Sequence, residues 1–388
     1  MRNEAQRMLA DIQELAPGLA SRAAEIEAAR KLAPDVVDTL KSVGIFRMFV
    51  PQSHGGFELE FPKGLEIISA LSRIDGSIGW SAAIGSTSAT FIPLLQRETY
   101  ERIYRDGPDV TFAGSAQPAG TAEATEGGYR VSGRWPFASG CMHAQWIIGF
   151  CIVTENGKPL PGPAGAGGPP LVRGFVMPAR DWRIEDTWHV AGLKGTGSHH
   201  VSMDDTVVPA ENFMDVMDGT PCMPGPLYQA VPQLLPLVHS AVSVGIAEGA
   251  VSELVAFANT GRQQIRAAVP MRDSETFQGE LGRIAADVRS ARAFLEAQAA
   301  SHWRHAQNGT LKSEALHAEG TQAAIWIATT CVRAADACFT LAGGGALYES
   351  SPLQRRMRDL HAAAQHAAAH SRHYATSGKH LLEHSALA

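Results

Sequence analysis

Cysteine is scarce: five residues among 388, at 141, 151, 222, 331 and 338, an odd number at irregular spacings. That pattern excludes a disulfide framework and a Cys-built zinc site, and the thiols read as small core residues in a reducing compartment. No Lys/Arg block occurs anywhere. With 33 basic against 39 acidic residues and a formal net charge of −6, a nucleic-acid or membrane-surface partner is not expected. No uncharged apolar run reaches the roughly 18 residues of a membrane span; the nearest, residues 234–251, is broken by His239 and Glu248. The opening MRNEAQRMLADIQEL lacks the continuous apolar stretch of a secretory signal. A strand followed by GxGxxG is missing, and so is GxxxxGK[ST]; the nearest lysine, Lys379 after Gly378, has His373 where the first glycine belongs. These absences remove dinucleotide and P-loop sites and leave a soluble, cytoplasmic globular protein as the expectation.

What is present is apolar mass. A hydrophobic fraction of 45% suffices for a large core, and the length suits two or three domains at about 150 residues each. The first hundred residues carry helical stripes. Val36, Val37, Leu40 and Val43 form one, with Pro34 suited to the first turn and Gly44 to the residue past the end. Leu65, Ile67, Ile68, Leu71 and Ile74 form another, after which Gly76 and Gly79 punctuate the chain before an apolar segment from Trp80 to Leu95. From Val110 the period changes to short β-branched and aromatic runs: 110–115, 129–135, 146–153 and 171–177. Between them, residues 154–170 hold five prolines and five glycines, an exposed loop by composition. After Glu211 alanine-rich helical stripes return over 241–258, 276–303 and 313–341. This order predicts an N-terminal helical domain (1–108), a central β domain (109–215) and a C-terminal helical bundle (216–388).

Several ordered landmarks carry a resemblance. They are Val50-Pro51 with Gly55-Gly56, Gly114-Ser-Ala-Gln-Pro118, Gly133-Arg-Trp-Pro-Phe-Ala-Ser-Gly140, Gly192-Leu-Lys-Gly-Thr-Gly-Ser198 with Pro209, Gly343-Gly-Gly345 and Arg358-Asp359. Their sequence and spacing resemble the acyl-CoA dehydrogenase superfamily over essentially the whole chain. The fold implied is α+β and mostly α: N-terminal helices, a central β-barrel or sandwich, and a C-terminal four-helix bundle. The chain departs from that family at its chemistry. Dehydrogenation needs a carboxylate base, and the family's glutamate about nine residues after the Arg-Asp pair is replaced here by Ala367. A methyl group takes no proton. Beside it stands His366, and a histidine there, with the Trp-x-Phe-x-Ser-Gly strand, resembles the oxygenase components of two-component flavin-dependent monooxygenases.

That resemblance implies reduced flavin (FMNH2 or FADH2) from a separate NAD(P)H-dependent reductase, and dioxygen. It also implies a flavin C4a-hydroperoxide that hydroxylates a small phenol- or indole-like aromatic, in a homotetramer. His366 and Ser139 are the implied catalytic residues. Ser115, Trp135, Phe137, Ser139 and Arg262 (Arg266 as fallback) are the implied flavin contacts, and Trp80 and Ser88 the substrate walls. Phenol-hydroxylating relatives place a histidine on the helix after the Trp80 position; residues 85–88 here are Gly-Ser-Thr-Ser, so a hydroxyl would take over that hydrogen bond, or the substrate is a neutral heteroaromatic. An acyl-CoA dehydrogenase with a relocated base and an N-oxygenase of amines stay as alternatives. His143 reads as structural, and Ile325 and Trp326 as core. Gly343–Gly345 can end a helix or, as in the superfamily, approach a neighbouring subunit's flavin. His366, His370 and His373 fall near one helical face, but no Cys, Asp or Glu completes a set before Glu383 and residues 375–378 interrupt the helix, so no metal site is expected.

Overall fold

The computed structural model describes residues 2–165, 167–229, 231–265 and 267–384; Arg266 lies outside them. Six helices come first: α1 (Arg2–Ser21), α2 (Ala23–Ala29), α3 (Pro34–Val43), α4 (Phe61–Ile74), α5 (Gly76–Thr87) and α6 (Arg97–Ile103). In α3 the chain terminates as its sequence demands. Pro34 opens the helix, and Gly44, at φ 92°, bonds its N–H back to the carbonyls of Leu40 and Lys41. Gly76 and Gly79 do not punctuate; both are inside α5. Asp75 caps that helix, accepting from Ser77 N at 2.9 Å and Ile78 N at 3.0 Å. A Cβ on Gly79 would sit 2.0 Å from Ser72 Oγ, so this glycine exists to let α5 lie against α4.

Among the described residues the middle of the chain supplies nine strands in one sheet: β1 (Phe112–Gly114), β2 (Gly120–Thr125), β3 (Gly128–Trp135), β4 (Trp146–Glu155), β5 (Lys158–Pro159), β6 (Val172–Pro178), β7 (Arg183–Glu185), β8 (His200–Pro209) and β9 (Phe213–Met214). Their order is β7-β8-β3-β2-β4-β6-β9, with β1 and β5 also paired to β4. The sheet rolls. Three strands separate β3 from β9 in that order, yet Phe213 lies with its ring 4.5 Å from that of Tyr129. Trp135, Phe175, Trp182 and Phe213 fill the space enclosed, with ring centroids 5.1–5.7 Å apart. The Pro/Gly-rich segment 154–170 is not wholly a loop, since Thr154 pairs with Pro159, Glu155 with Lys158, and Pro161 bridges Pro170.

Three long helices, α7 (Val231–Asn259), α8 (Glu275–Gln307) and α9 (Glu314–Ala342), and the shorter α10 (Pro352–Ala363) pack as a bundle, α7 also against α4. By length and composition, Pro232–Asn259 and Glu314–Leu347 are apolar enough to cross a bilayer; here α7 and α9 lie against each other inside the bundle. Ile325 is buried, whereas Trp326 turns outward, 37% exposed, edge-on to Phe294. The last helix, α11 (His373–His384), runs unbroken through residues 375–378 because Ser377 is buried against α9, its Oγ donating to Ala318 O at 3.0 Å. The histidines nearby do not share a helix face. The chain leaves α10 at Ala363, and His366 and His370 flank a separate 3-10 turn, Ala367–Ala369. Among the described residues no three His, Cys, Asp or Glu side chains converge for a metal ion.

Candidate active site

Four elements bring four side chains together. Trp80 comes from α5, Ser139 from the loop after β3, His239 from α7 and His366 from the turn after α10. Trp80 Nε1 donates to Ser139 Oγ at 3.0 Å. Its ring lies 5.1 Å from His239 and 5.8 Å, edge-on, from His366. The two imidazoles stack on each other, 3.7 Å between centroids with planes tilted by 32°. None of these contacts is to a carboxylate.

Burial decides the protonation of the pair. Desolvation depresses His366 to about 4, and desolvation, then the neighbouring His366, holds His239 well below the usual imidazole value. Both rings are therefore neutral at pH 7. His366 Nδ1 accepts from Ala368 N at 3.2 Å, which puts the ring proton on Nε2. His239 Nδ1 is buried with no hydrogen-bond partner among the described residues. An orphaned ring nitrogen beside a stacked imidazole is free to take a hydrogen bond from a ligand or a water.

The β-domain side is hydroxylic instead. Ser139 Oγ lies 2.7 Å from Ser198 Oγ, which lies 2.6 Å from Thr196 Oγ1, which donates to Leu193 O at 2.8 Å. The loop carrying Ser139 is held by Ala138 N on His199 O at 3.0 Å and Gly140 N on Thr196 O at 2.9 Å. Phe137 turns it with φ 63°, a left-handed conformation that a bulky residue adopts only under such constraint. The other loop is anchored to the bundle: Leu193 N donates to Asp359 Oδ1 at 2.6 Å, and Arg358 Nη1 to Ala191 O at 2.5 Å. A Cβ on Gly192 would meet Arg358 O at 2.0 Å, so the Gly192–Ser198 and Arg358-Asp359 landmarks are two sides of one contact. Asp359 is fully covered and near Asp75, and burial first, then Asp75, raises it to about 7.

The remaining expected residues are not in this group. Trp135 is fully buried in the β core with Nε1 on Phe150 O at 2.7 Å, so it has no face to offer a flavin. Phe137 is 55% exposed, edge-on to Trp188 and His200. Ser115 closes the end of β1, its N–H on Ile148 O at 3.1 Å. Ser88 is buried with its hydroxyl on Ile84 O at 2.9 Å, and lies about 12 Å beyond Trp80 along the helical rise. Ser86 and Thr87 likewise donate to Ala82 O and Ala83 O, so all three hydroxyls of the 85–88 stretch are spent on their own helix. Arg262 sits over the Phe257 ring at 4.9 Å and against Gly345. The α7 run from His239 to Asn259 is about 30 Å, which separates Arg262 from the Trp80 group of its own chain. His143 packs beneath the Gly140 turn, and burial depresses it to about 4. His239 is the member that sequence reading missed. Its only signal was a polar interruption of the most apolar helix. A cavity of about 790 Å³ lies elsewhere, lined by Arg102, Asp109, Gln145, Arg180 and Asn212 among others.

Known proteins match this architecture along its length. Residues 3–100 match the family model of the acyl-CoA dehydrogenase N-terminal domain, and residues 237–371 that of the acyl-CoA dehydrogenase C-terminal domain. Indole-3-acetate monooxygenase of Pseudomonas putida is 35% identical over 89% of this chain and 86% of its own. The flavin-dependent monooxygenase oxygenase subunit HsaA of Mycobacterium tuberculosis is 28% identical over 94% of this chain and 92% of its own. The crystal structure of the HsaA monooxygenase superposes with a TM-score of 0.88, covering 98% of this chain and 97% of that one. XiaF from Streptomyces, solved with FADH2 and glycerol, gives 0.87 at 26% identity over 97% of both. The chain belongs to the acyl-CoA dehydrogenase superfamily, in its branch of flavin-dependent monooxygenase oxygenase components.

Proposed function

We propose that the protein hydroxylates a small phenol- or indole-like aromatic, using FADH2 or FMNH2 delivered in the cytoplasm by a separate NAD(P)H-dependent flavin reductase. One observation carries this reading: two neutral imidazoles, an indole and a serine hydroxyl converge with no carboxylate in their contacts among the described residues, and Ala367 follows His366. The relative from Pseudomonas putida is named for indole-3-acetate, the XiaF structure holds FADH2, and HsaA is named an oxygenase subunit, which implies a reductase partner. Substrate, dioxygen and reduced flavin give hydroxylated product, water and oxidised flavin, so the electrons balance. When bound against Ser139, the reduced flavin would supply the two electrons and the activated oxygen for the transfer.

The donor set fits such a ring. Ser139 Oγ would hold it from the β side, with Ser115 at the end of β1 and the exposed Phe137 at its margin, while Trp80 and the imidazoles would wall off water. His366 positions rather than deprotonates. A nitrogen held near pKa 4 is a poor base toward a phenol, but its Nε2–H donates a hydrogen bond at any physiological pH. His239, from the opposite helix, supplies the histidine that the 85–88 stretch lacks. Arg262 and the Gly343–Gly345 turn, about 30 Å away along α7, serve a neighbouring subunit in a homotetramer. The exposed Trp326, Leu347 and Tyr348 support that assembly. The test is rapid mixing of anaerobic protein and reduced flavin with dioxygen, followed by a panel of phenols and indoles. A near-ultraviolet adduct band discharged by one of those classes supports the proposal; reduction of bound oxidised flavin by an acyl-CoA overturns it.

A further inference from the structure

The hydroxyl chain behind Ser139 has a direction, and its last member sets it. A carbonyl oxygen only accepts, so Thr196 Oγ1 spends its one proton on Leu193 O at 2.8 Å. Thr196 Oγ1 must then receive the proton of Ser198, 2.6 Å away, and Ser198 Oγ that of Ser139, 2.7 Å away. Ser139 also accepts Trp80 Nε1–H at 3.0 Å. A hydroxyl has one proton and two acceptor positions. Ser139 has committed its proton and one of those positions, and what it presents to a ligand is a lone pair alone.

The far end of the chain cannot swing easily. Leu193 has a left-handed φ of 52°, its N–H is tied to the buried Asp359 at 2.6 Å, and its carbonyl also receives Trp188 Nε1 at 3.1 Å. Reversing the chain would turn Thr196's proton toward Ser198 and set lone pairs of Thr196 Oγ1 and Leu193 O against each other at 2.8 Å, where Thr196 is 2% exposed, with Leu193 O keeping only its bonds from Trp188 Nε1 and Thr196 N. An unmade bond in such a dry place costs more than the bond is worth in water.

We infer that the Trp80–Ser139–Ser198–Thr196–Leu193 relay makes the protein select the redox state of its flavin, accepting the N5–H of the reduced ring and rejecting the bare N5 of the oxidised one. The inference rests on the reading above that the isoalloxazine lies against Ser139. Thr196 and Ser198 touch no flavin; they are positioning residues that aim the Ser139 proton away from it. Such a relay lets the protein take up reduced flavin from a reductase and give up the oxidised product without a moving part.

Dissociation constants for reduced and oxidised FAD and FMN, the reduced set under anaerobic conditions, test it on the full chain. The wild type binds the reduced form more tightly. Thr196→Val keeps the shape of the side chain and removes the anchor, so Ser198 can donate to Ser139 and Ser139 to oxidised N5. Ser198→Ala frees the Ser139 proton directly. In both variants the preference for reduced flavin shrinks about tenfold, mainly through tighter binding of the oxidised form, and the midpoint potential of bound flavin moves negative. An unchanged ratio in either variant, with wild-type circular dichroism and melting, overturns the relay while the functional reading stands. Absence of flavin binding in both redox states of the wild type overturns the functional reading and the relay with it.

Discussion

The two walls of the site are built on opposite physical plans. The bundle wall, His239 and His366 against Trp80, has ring contacts at 3.7–5.8 Å and no hydrogen bond between its members. The β wall, Ser139, Ser198 and Thr196, has almost nothing else, with oxygen–oxygen distances of 2.6–2.7 Å. Desolvation governs the first: it keeps both imidazoles uncharged, with His239 Nδ1 lacking a hydrogen-bond partner among the described residues. Bond direction governs the second, because each oxygen has one proton to give. A neutral aromatic substrate matches an uncharged, polarisable wall, and a flavin edge with alternating donors and acceptors matches an oriented one. Trp80 belongs to both, packing on the imidazoles on one side and donating to Ser139 on the other.

If the walls divide the labour in this way, they can be broken separately. The largest effect is expected from His366→Ala, which removes the ring proposed to position the substrate. Steady-state hydroxylation falls by about 10²-fold for the loss of a positioned donor, while reduced-flavin affinity, measured by anaerobic titration, stays within about threefold; equal losses in both would make His366 structural. Ser139→Ala breaks the other wall. The fraction of oxygen uptake that ends in product, read from an oxygen electrode against product chromatography, falls about tenfold for the loss of one hydrogen bond in a dry site, and unchanged coupling removes Ser139 from the mechanism.

The smallest effect is on stability, and its sign follows from the imidazoles. In the unfolded chain His366 titrates at the ordinary 6.5; in the native state it holds out to about 4. Between those values the unfolded state takes up a proton that the native state refuses, so the native state loses stability as pH falls from about 6.5 toward 4. His239 acts in the same direction. Asp359, raised to about 7, acts oppositely, since its native state binds a proton that its unfolded state releases until pH nears 3.8. The measurement is therefore a difference: urea midpoints of wild type and His366→Gln at pH 7.5 and 5, with a shallower acid loss expected in the variant. A parallel pair of curves would mean that the imidazole is not desolvated.

Local chemistry was enough for a good part of this molecule. Pro34 and Gly44 bracket α3 because one has its φ already set and the other tolerates φ 92°. The β-branched runs at 129–135, 146–153 and 171–177 are strands, and the stripes at 241–258, 276–303 and 313–341 are the bundle. Ser139, His366 and Trp80 were readable as candidates because they stand at family spacings, and the structure brings the three together. The reading failed where a residue's meaning depends on what lies across from it. Gly79 looks like a break until Ser72 is seen 2.0 Å from where its Cβ would be. Trp135 shares its motif with Ser139 but closes β3 pointing into the β core, whereas Ser139 stands in the loop beyond, past the left-handed Phe137. His239 carries no local mark beyond interrupting an apolar run: the crossing of α7 with the end of α10 is what stacks it on His366. Thr196 and Ser198 gain a direction only because Asp359, more than 160 positions away, holds Leu193. Sequence alone determined the elements, whose causes are a few residues long; the tertiary structure decided the chemistry, because protonation and bond direction depend on neighbours the chain brings in from far away.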